Sequence, residues 1–130
     1  MLFDYESVGV ALHHLFLNAV KYSMNDTPLH IKFPCEDGIP RIELEMISLP
    51  IEQNEIESLY DEGYSGKAAR KLSLSGDGSG MGIAKKLLQL NGAKITVVAG
   101  LPEFSRLGTE YARNKFTVEF AKKHIRNLKI

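Results

Sequence analysis

The sequence predicts an α/β two-layer sandwich, a mixed, mostly antiparallel sheet covered on one face by about three helices. Three observations carry this. Apolar residues recur at helical spacing between Glu6 and Ser23. Alternating runs at 29–33, 41–46 and 115–120 and a β-branched run at 93–99 supply strands. A glycine-rich stretch then feeds a second helical segment from about Met81 to Leu90. Right-handed β-α-β crossovers and a short final hairpin fit such layering. At 130 residues the chain is one domain, large enough to bury a core and too short for two.

In the first helix, Val8, Ala11, Leu12, Leu15, Phe16, Ala19 and Val20 form the apolar face. His14, Asn18, Lys21 and Tyr22 fall on a neighbouring stripe, because residues three and four apart share a helix face. Such a stripe either lines a pocket or faces solvent. An Asn amide oxygen suits a Mg²⁺ that keeps most of its waters, and Lys supplies a point charge for phosphate oxygens. Asn25-Asp26-Thr27-Pro28 is a turn, and Leu29 to Phe33 a half-buried strand. Pro34 to Pro40 turns again, and Arg41 to Met46 alternates as an antiparallel neighbour that Pro50 stops. Gln53 to Tyr60 reads as a short helix with Ile56 and Leu59 inward.

From Asp61 to Gly82 no apolar periodicity survives and Gly, Ser, Lys and Arg dominate. A loop that long inside a compact domain marks a lid or disorder. The helix to Leu90 stops at Asn91-Gly92, Ala93 to Ala99 is a strand, and Lys115 to Phe120 is the last one. The tail from Lys122 to Ile130 reads as a solvated extension or a docking helix.

Within the loop, Gly76, Gly78, Gly80 and Gly82 alternate straight into a helix. Without Cβ atoms the backbone can approach an anion, and the free amides and positive dipole end of a helix favour it. A flexible surface loop has the same composition.

Taken together, Asn18-Ala19-Val20-Lys21-Tyr22 near the start, the Gly-x-Gly-x-Gly run and Leu90-Asn91-Gly92-Ala93-Lys94-Ile95 resemble the ATP-binding domain of sensor histidine kinases. That domain belongs to the GHKL superfamily and has the Bergerat fold. The resemblance puts Asn18 at the metal-binding asparagine of the N box, with Lys21 and Tyr22 on its phosphate side. The run from Ile51 to Gly66 resembles the family's helix and F-box stretch, which implies nucleotide contacts for Ile51 and Tyr64. Counting back without gaps from Leu90-Asn91-Gly92 puts Gly76, Gly78 and Gly80 at the family glycines. Matching Gly80-Met81-Gly82 to the family's Gly-Met-Gly-Leu needs a deletion afterwards. Asp61 to Gly82 would be the ATP lid, with Lys67, Arg70 and Lys71 as γ-phosphate partners or as exposed charges.

The sequence departs from the family where the adenine amino group is received. An Asp or Asn is expected at Met46 and a glycine at Ser48. Met46 offers no acceptor. Losing one directed hydrogen bond and leaving its partner unsatisfied weakens binding by about tenfold to a hundredfold. Glu43 or Glu45 could substitute only through a shift of strand register.

The resemblance implies an Mg-ATP-binding domain that offers the γ-phosphate to a His on a separate dimerisation and phosphoacceptor domain, and that is inactive as an autokinase without it. ATP or ADP and Mg²⁺ are the expected ligands, with His14 and Asn18 as catalytic residues. His14 stands four residues before Asn18, where GHKL hydrolases carry a water-activating Glu; a solvent-facing histidine is the alternative, and His13 reads as structural. Two other classes stay open: a GHKL ATPase motor module of a larger effector, and a pseudo-ATPase used as a regulatory interaction surface. Lys plus Arg equals Asp plus Glu at sixteen each, so no global basic field suggests nucleic acid. The single cysteine, Cys35, excludes an internal disulfide and favours a reducing cytoplasm. No apolar run is long enough for a membrane span, so the domain is expected to make no membrane contact, whether free or as the cytoplasmic part of a membrane-anchored sensor.

Overall fold

The computed structural model describes residues 4–60 and 80–121. The expectations for the lid and F-box residues 61–79, among them Tyr64, Lys67, Arg70, Lys71, Gly76 and Gly78, lie outside the described residues, as does the tail from 122 onward.

Helix α1 spans Tyr5–Tyr22 and is started by Asp4, whose side chain accepts from the amides of Glu6 and Ser7 at 3.1 and 3.4 Å. Val8, Ala11, Leu15 and Ala19 are buried, one per turn, while Val20 turns away from the core and is 71% exposed. Helix α2 spans Gly80–Leu90 and buries Met81, Ala84 and Leu88. Alanines at 11, 19 and 84 let the two helices and the sheet approach closely.

Asn91 fixes how the helices lie. Only 2% exposed, it accepts from the Asp4 amide at 2.7 Å and donates to Ser7 Oγ and the Leu87 carbonyl at 2.9 Å each. The end of α2 is thereby fastened to the beginning of α1, so the helices run antiparallel. Gly92, with φ 73°, supplies the left-handed residue that ends α2.

The strands are β1 (His30–Lys32), β2 (Cys35–Glu36), β3 (Ile39–Ser48), β4 (Ala93–Arg106) and β5 (Thr109–Phe120). The sheet order is β1-β3-β5-β4 with β2 paired to β3, and every described pairing is antiparallel. Strands β3 and β4 therefore run parallel on either side of β5, and α2 is the crossover between them. Leu44, Met46, Ala93, Val118 and Phe120 point into the helical layer, and with the buried faces of α1 and α2 they form the core. On the opposite face Arg41 pairs with Glu119 at 3.0 Å and Lys94 reaches Glu119 at 3.7 Å, a solvated ladder.

Four elements differ from the sequence-based expectation. The strand expected to be half-buried at 29–33 is exposed throughout β1, with Ile31 at 41%, because it is the edge strand. Gln53 to Tyr60 is not an α-helix but two 3-10 turns, Gln53–Glu55 and Glu57–Tyr60. The tighter three-residue turn rotates the inward face, so Glu55 is buried at 3% exposure while Ile56 and Leu59 are half-buried. The expected turn at 34–40 contains a small hairpin, closed by Asp37 and Gly38 at φ 54° and 75°. Strands β4 and β5 extend far beyond 93–99 and 115–120, because register shifts between Ala99, Pro102 and Phe104 carry the ladder past Gly100 and Pro102.

Candidate functional site

The end of α1 is stitched to the end of β3. Ser23 forms a bridge with Ser48, the Met24 amide donates to the Ile47 carbonyl at 2.8 Å, and the Leu49 amide donates to the Tyr22 carbonyl at 3.0 Å. The beginning of α2 meets α1 further back. A Cβ on Gly80 would lie 3.4 Å from His14 Nδ1, and one on Gly82 would lie 2.6 Å from the Tyr60 carbonyl oxygen. Only glycine fits at the second position without moving backbone.

The stripe read from sequence thus has fixed ends. His14 touches the first turn of α2, Tyr22 touches Leu49 after β3, and Asn18 stands one turn from each; all three are half-buried. Lys21 is exposed and its ammonium lies 5.2 Å from the centre of the Tyr22 ring, beside the stripe rather than in it. Ile51 is half-buried just past the end of β3, and Met81 points into the core. His13 is exposed. The opening amides of α2 have no partners within the helix, and its positive end faces His14, which favours an anion there.

Tyr60 closes the side nearest α2. Burial, reinforced by the charge of Glu57, pushes its hydroxyl from 10.0 up to about 12, and the Lys85 ammonium sits 4.4 Å from its ring centre. A folded-state value above the unfolded one means that stability present below about pH 10 is lost as pH rises toward 12. An absorbance titration of tyrosinate should show one late step near pH 12, absent in Tyr60→Phe.

At the end of β3 the structure adds buried polar residues that sequence reasoning missed. Met46 is 3% exposed and packs in the hydrophobic core. Opposite it in register on β5 stands Asn114, 1% exposed, which donates to Ser48 Oγ at 2.8 Å and to the Leu49 carbonyl at 3.1 Å and accepts from the Gly100 amide at 3.2 Å. Ser48 is 4% exposed. An inward asparagine in a strand of alternating pattern was the available signal. Met46→Asp would bury a carboxylate in this core and should cost on the order of 3 kcal/mol of stability, whereas Met46→Leu should cost under about 1.5 kcal/mol, both read by urea denaturation.

Among the described residues no group of three His, Cys, Asp or Glu side chains is placed to hold a metal by protein ligands alone. Asn18 can offer one oxygen, so a Mg²⁺ there would be completed by phosphate oxygens and water, the coordination this ion prefers. The stripe of α1 and the first turn of α2 therefore fit an Mg-polyphosphate, and Met46 offers no acceptor for an adenine amino group.

No family model matches the chain. The signal transduction histidine-protein kinase ArlS of Staphylococcus aureus is 29% identical over 80 residues, which cover 62% of this chain and 18% of that protein. The matched residues thus correspond to less than a fifth of that relative's length. Among solved structures, the mycobacterial sensor histidine kinase MprB superposes with a TM-score of 0.67 at 19% identity, covering 92% of this chain and 77% of that one. A nucleotide-free catalytic domain of the histidine kinase ThkA gives 0.67 at 17% identity, covering 92% and 69%. Full-length ShkA in complex with AMPPNP gives 0.63 at 16%, covering 88% and 21%. The two-layer sandwich expected from sequence is the fold found, and it is the fold of histidine kinase catalytic domains. Among the described residues no helix is long and apolar enough to cross a membrane.

Proposed function

We propose that this chain, which has the fold of histidine kinase catalytic domains, binds Mg-ATP and presents its γ-phosphate to a histidine on a separate phosphoacceptor domain. The single observation that carries this reading is the polar stripe of α1, which runs from the first turn of α2 at His14 to the end of β3 at Tyr22 with Asn18 between. Bound there, Mg²⁺ supplies charge neutralisation of the phosphates. Asn18 would hold the metal, the amides of Gly80 to Gly82 would face phosphate oxygens, and His14 would stand beside them as a proton acceptor or donor. Catalysis of this kind is mostly positioning and electrostatics. A likeness to kinase domains of known structure supports the fold half of the reading, and the aligned 80 residues of ArlS support the kinase half. A domain that takes Mg-ATP works in the cytoplasm, where the nucleotide is supplied.

A second reading has its own observation. Met46 sits in the core with no acceptor for a base, which favours a nucleotide-impaired module that uses the sandwich as an interaction surface. Amide chemical shifts separate the two. On adding Mg-ADP, shifts should concentrate at His14, Asn18, Tyr22 and Gly80 to Gly82; a spectrum unchanged at millimolar ligand favours the second.

A further inference from the structure

A site that distinguishes one base from another needs a directed donor or acceptor left available to it, and its selectivity comes from the cost of leaving that group unpaired with the wrong ligand. At the end of β3 the candidates are few. The Ile47 and Tyr22 carbonyls accept from Met24 and Leu49 at 2.8 and 3.0 Å. Both hydrogens of the Asn114 amide are spent, one on Ser48 Oγ and one on the Leu49 carbonyl, and its oxygen is held by the Gly100 amide. Because Leu49 O can only accept and Gly100 N can only donate, the amide can face one way alone. Three of its four bonding positions are therefore used inside the protein, at 1% exposure. Met46, the register partner of Asn114, contributes an apolar side chain to the core. Among the described residues the strand end is a buried polar network beside an apolar wall.

We infer that the nucleotide site does not discriminate among bases and takes nucleoside triphosphates through their Mg-polyphosphate end. The inference rests on the proposed nucleotide-binding function. The phosphate end retains Asn18 and the first turn of α2, while Asn114 donates to Ser48 Oγ and both side chains are buried, at 1% and 4% exposure, where a base edge would otherwise be read. Asn114 is in this sense the specificity residue, acting by occupying the polar groups of the strand end.

The test is a calorimetric titration of the full chain with Mg-ATP, Mg-GTP, Mg-CTP and Mg-tripolyphosphate under one set of conditions. The three nucleotides should agree in Kd within about fivefold, the size of one directed hydrogen bond, and tripolyphosphate should displace each of them. An ATP preference above about fivefold over GTP or CTP overturns the inference and leaves nucleotide binding standing. Failure of tripolyphosphate to displace a bound nucleotide also overturns it, since recognition would then lie in the nucleoside. Silence with all four ligands overturns nucleotide binding and the inference together.

Discussion

Asn114→Ala is expected to lower the free energy of unfolding by about 2–4 kcal/mol. The side chain bonds three groups on the two neighbouring strands: Ser48 Oγ and the Leu49 carbonyl at the end of β3, and the Gly100 amide in β4. Removing it leaves buried polar atoms unpaired, and each such atom costs about 1–3 kcal/mol, with partial relief from relaxation or an entering water. Gly100→Ala probes the same junction from the other side. A Cβ there would lie 2.3 Å from the Arg113 carbonyl oxygen, an overlap only a shift of β4 against β5 relieves. It should cost about 1–3 kcal/mol. Urea denaturation of both variants reads these losses, and an Asn114→Ala midpoint equal to that of the parent would refute the network's structural role.

The second large effect is on binding. Asn18→Ala should reduce Mg-ATP affinity at least about tenfold and leave no difference between titrations with and without Mg²⁺, since the only side-chain oxygen proposed for the metal is gone. Its folding should be unharmed. Alanine is the better helix former, so a loss of affinity with unchanged or raised stability separates ligand contact from unfolding. A variant that still binds more tightly with Mg²⁺ than without would remove Asn18 from the metal site.

The helices and the core were legible because their signals are local. Val8, Ala11, Leu15 and Ala19 repeat at the helical period, and Asn91-Gly92 marks a helix end that the structure confirms with Gly92 at φ 73°. What escaped was non-local or compensated. Nothing in Gly100 to Asn114 alternates, because the register shifts after Ala99 break the period-two pattern while preserving the pairing. In the sequence Asn91 is only a helix stop signal, yet its side chain also joins α2 to Asp4 and Ser7 more than eighty residues away. Likewise Asn114 looks like an ordinary polar strand residue until Ser48, Leu49 and Gly100 are placed around it. Of the candidate site, His14, Asn18 and Tyr22 could be named from helical spacing, but their closeness to Gly80 and Leu49 is a product of the tertiary packing.

The measurement closest to the central proposal is a calorimetric titration of the chain with Mg-ATP, repeated after chelating the metal. Weak binding that requires Mg²⁺ is expected, with Kd between about 10 µM and 1 mM, from a polar stripe that suits Mg-polyphosphate beside a Met46 that offers the base no acceptor. Absence of heat up to millimolar Mg-ATP, or equal binding after chelation, would contradict it.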